Sequence, residues 1–227
     1  MVDKKNPLTF EMIRTKIPFL ACLSEKEFQD LKAQVKEGFF MKESVIVPAD
    51  DAALFMYIIL SGAVKVVNRG EDGKERIVAI HKAGDYYGEM ALIDGKTSPA
   101  TVKAMKHSTV ILVPKKVFHA HLLKKKKVLA EFNLTLCQRL RESWATIKIL
   151  GIPDAEERVR AFLKYMSTYG TQVFGGKIIK GQLTHQTIAD HLSLTRETVT
   201  RVLNKLEKSH EIEMLGGKTI LFKEQAA

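Results

Sequence analysis

The stretch Leu183–Leu206, LTHQTIADHLSLTRETVTRVLNKL, decides how this chain is read. Thr184 stands before a short amphipathic run reaching about His191, with Ile188, Ala189 and Leu192 on its inner side. A threonine hydroxyl can accept from the free N–H groups of a first helical turn, so Thr184 predicts a helix start. Ser193 and Leu194 fill a turn. Thr195 then repeats the cap ahead of a second run with Val199, Val202, Leu203 and Leu206 as its apolar positions. Their spacing is that of a helix with one buried face. Small Ala189 lets the two helices approach closely. Two short helices with so tight a turn predict a helix-turn-helix, whose second helix lies in the DNA major groove.

The polar side of the second helix carries Arg196, Glu197, Thr200 and Arg201. Arg196, Thr200 and Arg201 share roughly one face, with Glu197 beside Arg196. Arginine can grip guanine O6 and N7 together, and glutamate can accept from cytosine N4. A glutamate set only among phosphates would be repelled, although a carboxylate in a first turn also complements the helix dipole.

The run Leu194–Thr195–Arg196–Glu197–Thr198–Val199–Thr200–Arg201 closely resembles the recognition helix of the CRP/FNR family, the bacterial cyclic-AMP receptor and fumarate–nitrate regulators. The resemblance implies that Arg196, Glu197 and Arg201 read bases and that Thr184, Gln186, Thr195 and Thr198 contact phosphates. Thr200 stands where that family has a glycine or a serine.

On either side of this motif the chain continues in the same sense. Gly151–Ile152–Pro153–Asp154 reads as a helix stop and an interdomain hinge. Asp154 then caps Ala155–Ser167, whose inner face is Val159, Phe162, Leu163 and Met166. Tyr169–Gly181 predicts a hairpin around Gly175–Gly176. Glu211–Met214 and Thr219–Phe222, joined through Leu215–Gly216–Gly217, predict the wing of a winged helix, where Lys218 could meet a phosphate.

Upstream, Lys115–Leu150 reads as one long helix with a break near Lys124. Leu129, Phe132, Leu136, Leu140, Ser143 and Ile147 recur along it at three and four, a coiled-coil-like seam. The resemblance makes it the interface of a homodimer. The four lysines Lys124–Lys127 read as a solvated helix start.

From Phe39 to about Pro114 short β-branched and aromatic runs alternate with turns. The predicted strands are Ser44–Val47, Phe55–Leu60, Ala63–Asn68, Glu75–His81, Ala100–Met105 and Thr109–Val113. A hairpin turn is expected at Asp72–Gly73, with reversals at Gly62, Gly84 and Gly95. Many short strands at close spacing argue for a β-roll or jelly roll. Tyr57–Val66, YIILSGAVKV, resembles the signature of cyclic-nucleotide-binding domains, and Gly88–Glu89–Met90–Ala91–Leu92 to Pro99–Val102 resembles their phosphate-binding cassette. Gly88 would let the backbone approach a ligand, a helix start at Met90–Leu92 would offer N–H groups to an anion, and Glu89 could accept from a ribose hydroxyl. A plain turn and helix would leave the same trace. Ser98 stands where the family's cyclic-AMP binders carry a phosphate-pairing arginine, and Pro99 follows it. Serine supplies no charge, and charge-assisted bonds are about twice as strong as neutral ones. Arg139, Ser143 and Trp144 fall near positions that face the ligand in the cyclic-AMP receptor. Arg139 could supply the missing cation and Trp144 could close a pocket; the competing reading has Arg139 paired with a carboxylate and Trp144 as a core anchor.

Before Phe39, residues 1–18 read as a loose arm with a short helix, followed by a capping box at Ser24–Glu27 and a helix with Phe28, Leu31 and Val35 inward. The totals agree with a packed regulator. The chain has 227 residues and 45% hydrophobic content, and a net charge of +10 favours a polyanionic partner without identifying it. Cys22 and Cys137, both in apolar periodic stretches, read as buried thiols; two cysteines fall short of the four ligands of an iron–sulfur cluster. Among seven histidines, neither His119/His121 nor His185/His191 has zinc-site spacing, and no motif marks His81, His107 or His119 as a haem ligand. No catalytic triad or Walker loop is present. With no signal peptide and no long apolar run, a cytoplasmic protein without a membrane partner is expected.

The expected fold is α+β. Residues 1–152 would form a double-stranded β-helix (jelly-roll), cyclic-nucleotide-binding-like domain with a dimerisation helix at about 115–150, and 153–227 a winged helix-turn-helix domain. The expected function is an effector-gated, homodimeric, DNA-binding transcription regulator reading a TGTGA-like palindrome. An RNA polymerase contact is implied by resemblance alone. A nucleotide-sensing interaction module, or a regulator active without ligand, is the alternative.

Overall fold

A computed structural model describes residues 9–71, 73, 75–180, 183–215 and 219–223. The chain divides into two compact units, Met1–Cys137 and Gln138–Ala227. The division falls inside the long helix, whereas the sequence reading placed it at that helix's end.

The first unit holds eight strands: β1 (Lys36–Phe40), β2 (Val45–Val47), β3 (Phe55–Ser61), β4 (Ala63–Arg69), β5 (Glu75–Lys82), β6 (Tyr86–Tyr87), β7 (Thr101–Ala104) and β8 (Ser108–Pro114). They form two four-stranded antiparallel sheets, ordered β1-β8-β3-β6 and β2-β7-β4-β5. Alternation along β3 and β8 explains why one sheet serves two cores. Ile59 and Val110 join Val64, Tyr87 and Val102 in one cluster, while Met56, Ile58, Ile111 and Val113 turn the other way, onto helices. The sequence reading missed β1 and β6. The first is charged and carries Gly38, and the second is two residues long.

The helices on that outer face are α1 (Phe10–Arg14), α2 (Pro18–Ala21), α3 (Glu25–Lys32) and the start of α6 (Lys126–Leu150). Residues 9–18 are therefore no loose arm: Phe10, Ile13 and Ile17 are almost completely buried. The capping box of α3 forms as expected. The Glu27 amide donates to Ser24 Oγ at 3.4 Å, and the Ser24 amide donates to Glu27 Oε2 at 2.8 Å. Between β6 and β7 lies α4 (Glu89–Asp94). The break expected near Lys124 is real. The helix α5 (Lys115–Val117) runs into a π-helical turn, Phe118–Leu122, and the chain restarts at Lys126.

Phe132 departs from the predicted seam. It packs on Phe19 at 4.9 Å and Phe118 at 5.6 Å between ring centroids, so the first unit's own core claims it. The thiols also differ from expectation, Cys22 being half-buried and Cys137 exposed.

In the second unit α6 is followed by α7 (Ala155–Ser167), β9 (Thr171–Val173), β10 (Gly176–Lys180), α8 (His185–Leu192), α9 (Arg196–Lys208), β11 (Ile212–Leu215) and β12 (Thr219–Lys223). The strands make one antiparallel sheet, β11-β12-β10-β9. The core joins Ile149, Val159, Phe162 and Leu163 to the inner faces of α8 and α9 and to Ile179, Ile212 and Ile220. Trp144 is not part of it. Leu140, Trp144 and Ile147 are 51%, 57% and 65% exposed, a row of large apolar side chains in contact with solvent. Among the described residues no helix is long and apolar enough to cross a membrane.

Candidate nucleic-acid interface

The local sequence sets both helix starts. The Thr187 amide donates to Thr184 Oγ1 at 3.0 Å, and the Thr198 amide donates to Thr195 Oγ1 at 3.1 Å. Between them Ser193 adopts φ 54°, ψ 41°, the left-handed conformation that ends a helix abruptly. The Leu194 amide then returns to the Ala189 carbonyl at 3.0 Å. Ile188, Ala189 and Leu192 of α8, with Val199, Val202, Leu203 and Leu206 of α9, are all buried.

The arginines of α7 and α9 divide by what their guanidinium groups touch. Arg158 donates to the backbone carbonyls of Ile152 at 2.8 Å and Leu192 at 3.2 Å, holding the end of α8. Arg160 donates through Nε to Glu211 Oε2 at 2.7 Å and through Nη2 to Glu156 Oε1 at 2.9 Å. Lys205 of α9 reaches Glu156 at 2.5 Å, so α7, α9 and the approach to β11 are tied by one ionic chain. The Glu211 carboxylate beside it holds Arg160 charged, and Arg160 in turn keeps the Glu211 carboxyl below its ordinary range. Arg196 and Arg201 behave differently. Both are exposed, as is Glu197, and among the described residues none of the three side chains has a hydrogen-bond or ion-pair partner.

Arg196, Glu197, Thr200, Arg201 and Asn204 lie together along one open face of α9. The sequence reading gathered the first four and missed Asn204, although it follows Thr200 and Arg201 by one helical turn. Such a strip has two guanidinium forks, one acceptor-only carboxylate and an amide, the donors and acceptors that can match base edges. Thr200 Oγ1 donates to the Arg196 carbonyl at 2.9 Å and lies 2.8 Å from His185 Nδ1. Of the residues assigned to phosphates, Thr184, Thr195 and Thr198 have their hydroxyls within the two caps, and Gln186 Nε2 donates to Asp190 at 2.6 Å. Lys218 lies outside the described residues.

The residues assigned to an effector lie in both units. In the first, Gly88 caps α4 at φ 87°, and a Cβ there would sit 2.9 Å from the Phe55 carbonyl oxygen, so glycine is required. Glu89 is buried, Met90 is half exposed and Pro99 is exposed. Ser98 Oγ donates to the Ala100 carbonyl at 2.9 Å, and its backbone exchanges hydrogen bonds with Asp50 and Asp51. Its one hydroxyl proton is thus already committed. The rings of Tyr57 and Tyr87 stack beside this turn at 4.8 Å and 6°, and His81 stacks on Tyr87 at 5.9 Å. Burial raises both phenols above their ordinary range, Tyr87 the further. Sequence reading gave no sign of this ring stack because its members come from separate strands. In the second unit, Arg139 is half-buried, Ser143 Oγ donates to the Arg139 carbonyl at 2.9 Å, and Trp144 is exposed. Among the described residues no three His, Cys, Asp or Glu side chains are grouped to hold a metal ion.

Comparison with known proteins matches both halves. Residues 37–125 match the cyclic nucleotide-binding domain, and residues 157–226 match the Crp-like helix-turn-helix domain. The chain is similar to the fumarate and nitrate reduction regulatory protein of Vibrio cholerae, 31% identical over 206 residues, covering 90% of this chain and 81% of that one. It is 27% identical to the cAMP-activated global transcriptional regulator CRP of Pasteurella multocida over 183 residues, 80% of this chain and 87% of that one. The structure of FixK2 from Bradyrhizobium japonicum superposes with a TM-score of 0.71 at 26% identity, covering 84% and 93% of the two chains.

Proposed function

The chain belongs to the CRP/FNR family of transcription regulators, and from that premise we propose a homodimer that reads a TGTGA-like palindrome under the control of a small effector. The observation that carries this reading is the contrast among the arginines. Arg158 and Arg160 are bound within the fold, while Arg196 and Arg201 stand uncommitted with Glu197 on one open face of α9. A surface held in that state loses no internal bond on meeting a base. Each α9 would take one half-site, with centres roughly 34 Å apart on one face of the duplex. Thr184, Gln186, Thr195 and Thr198 would place capped helix starts against phosphates.

The exposed row Leu140, Trp144 and Ile147 supports a second copy packed along α6. The β9–β10 hairpin, with Tyr169 and Phe174 exposed, is the proposed contact for RNA polymerase. For the effector, the cassette fits a cyclic nucleotide poorly. Glu89 is buried, and Ser98 has no charge and has already donated its proton. A molecule without an anionic phosphate suits those residues better.

The test is equilibrium binding of the full chain to duplexes carrying a TGTGA-like palindrome and its single-pair variants. Replacing Arg201 with alanine is expected to weaken the intact site by about 1–3 kcal/mol and to relax preference at one base pair per half-site. Unchanged preference would remove Arg201 from base reading, and equal affinity of the wild-type chain for all duplexes would remove the proposal.

A further inference from the structure

We propose that His185, on the first helix of the motif, sets the base preference of Thr200 by holding its hydroxyl as an acceptor. The inference rests on the DNA-reading role of α9 given above. Thr200 Oγ1 has one proton and two lone pairs. It lies 2.9 Å from the Arg196 carbonyl oxygen, which can only accept, and in this proposal the proton goes there rather than to His185 Nδ1. His185 Nδ1 stands 2.8 Å from the same Oγ1. With the proton spent, that second contact is a hydrogen bond only if Nδ1–H donates to Oγ1. Both the imidazolium and the neutral Nδ1–H tautomer supply that donor, so the arrangement needs one tautomer and no change of charge.

The consequence lies in what remains. Thr200 shares the open face of α9 with Arg196, Glu197, Arg201 and Asn204, and has one lone pair and its methyl group left. A free threonine hydroxyl rotates, and can donate to thymine O4 or guanine O6 as readily as it accepts from an amine. Held by His185 and the Arg196 carbonyl, it can only accept. It therefore favours a base that presents an exocyclic amine, adenine N6 or cytosine N4, and is repelled by thymine O4 and guanine O6. His185 touches no base in this account; it is a positioning residue, acting across the turn from α8 to α9.

The experiment measures full-chain binding to palindromes in which each half-site position carries all four base pairs in turn. For the wild-type chain, one position is expected to prefer the two pairs that offer an amine to Thr200. In His185→Ala that preference narrows about three- to tenfold, the worth of one neutral hydrogen bond, while preferences assigned to Arg196, Glu197 and Arg201 stay. His185→Asn, whose amide N–H can take the place of Nδ1–H, restores it. Thr200→Val removes it, and adding His185→Ala to Thr200→Val then changes no preference. Equal weakening of every duplex by His185→Ala would make His185 a phosphate contact and overturn the inference, as would unaltered preference at all positions. Should His185→Ala fail to fold, the Thr200→Val and His185→Asn chains decide alone: a preference that survives Thr200→Val, or one that His185→Asn abolishes, overturns it. Failure of the wild-type chain to distinguish any duplex would instead count against the DNA-reading role itself.

Discussion

Shortening Leu140 to alanine tests the proposed dimer at its middle. Leu140 is 51% exposed, and its neighbours Trp144 and Ile147 in the same row are 57% and 65% exposed. Full burial of a leucine side chain is worth about 1.5–3 kcal/mol, so the half that a partner would cover is worth about 1 kcal/mol. A two-fold dimer repeats the change, making about 2 kcal/mol and roughly a 30-fold rise in the dimer dissociation constant. Leu134 is the control. It is 64% exposed on the same helix, yet six positions from Leu140 is roughly 120° around the axis, which takes it off the row. Leu134→Ala should leave association within about twofold of wild type, since no transfer of its side chain from water is invoked. Sedimentation equilibrium over a range of concentrations reads both constants. Trp144 is the chain's one tryptophan, so a blue shift of its emission as the dimer forms gives an independent readout. The reasoning is refuted if Leu134→Ala and Leu140→Ala weaken association equally, or if the wild-type chain sediments as a monomer at every concentration.

Three further outcomes follow from local geometry. Gly88→Ala should destabilise the first unit by about 1–3 kcal/mol in chemical denaturation, because a side chain at φ 87° is strained and its Cβ meets the Phe55 carbonyl; Gly84→Ala, with open space around it, should cost less. Thr195→Ala should remove about 1 kcal/mol of stability with the α9 cap, and should weaken every DNA duplex alike, since it alters no base-reading group. Arg160 lowers the folded-state pKa of Glu211, so this pair's contribution is fully present above the unfolded carboxylate range, near pH 4.3, and is lost as the pH falls through the depressed value. Glu211→Gln should therefore flatten the acid limb of the stability curve of the full chain while changing little at pH 9 beyond a constant offset.

The sequence carried those parts of the fold whose signals are local. Thr184, Thr195, Asp154 and Ser24 each begin a helix where a short polar side chain precedes an apolar period, and each side chain accepts from the amide two or three residues on. The positions that misled are those where a distant partner decides. Phe132 keeps the spacing of a seam, but Phe19 and Phe118 draw it into the core of the first unit. Trp144 has the size of a core anchor and stands in solvent, because the second unit fills its core with Phe162, Leu163 and the inner faces of α8 and α9. Charge alone was a poor guide to the site as well. Lys124–Lys127 is the densest basic run, yet Lys125 is engaged by Glu27.

What separates Arg196 and Arg201 from Arg158 and Arg160 is invisible to composition and visible only as a pattern of commitment. An arginine that holds a helix end or a carboxylate is poor equipment for a groove, since binding DNA would first break a partly buried, charge-assisted bond. The fold resolves this by placing acceptors where it wants guanidinium groups fixed. Glu211, Glu156 and the Leu192 carbonyl serve Arg160 and Arg158, whereas Arg196 and Arg201 on α9 have Glu197 beside them and engage no acceptor among the described residues. The same logic runs through Thr200. In the proposed reading its hydroxyl is saturated on one side and open on the other, so its chemistry toward a base would be decided inside the protein before any duplex arrives.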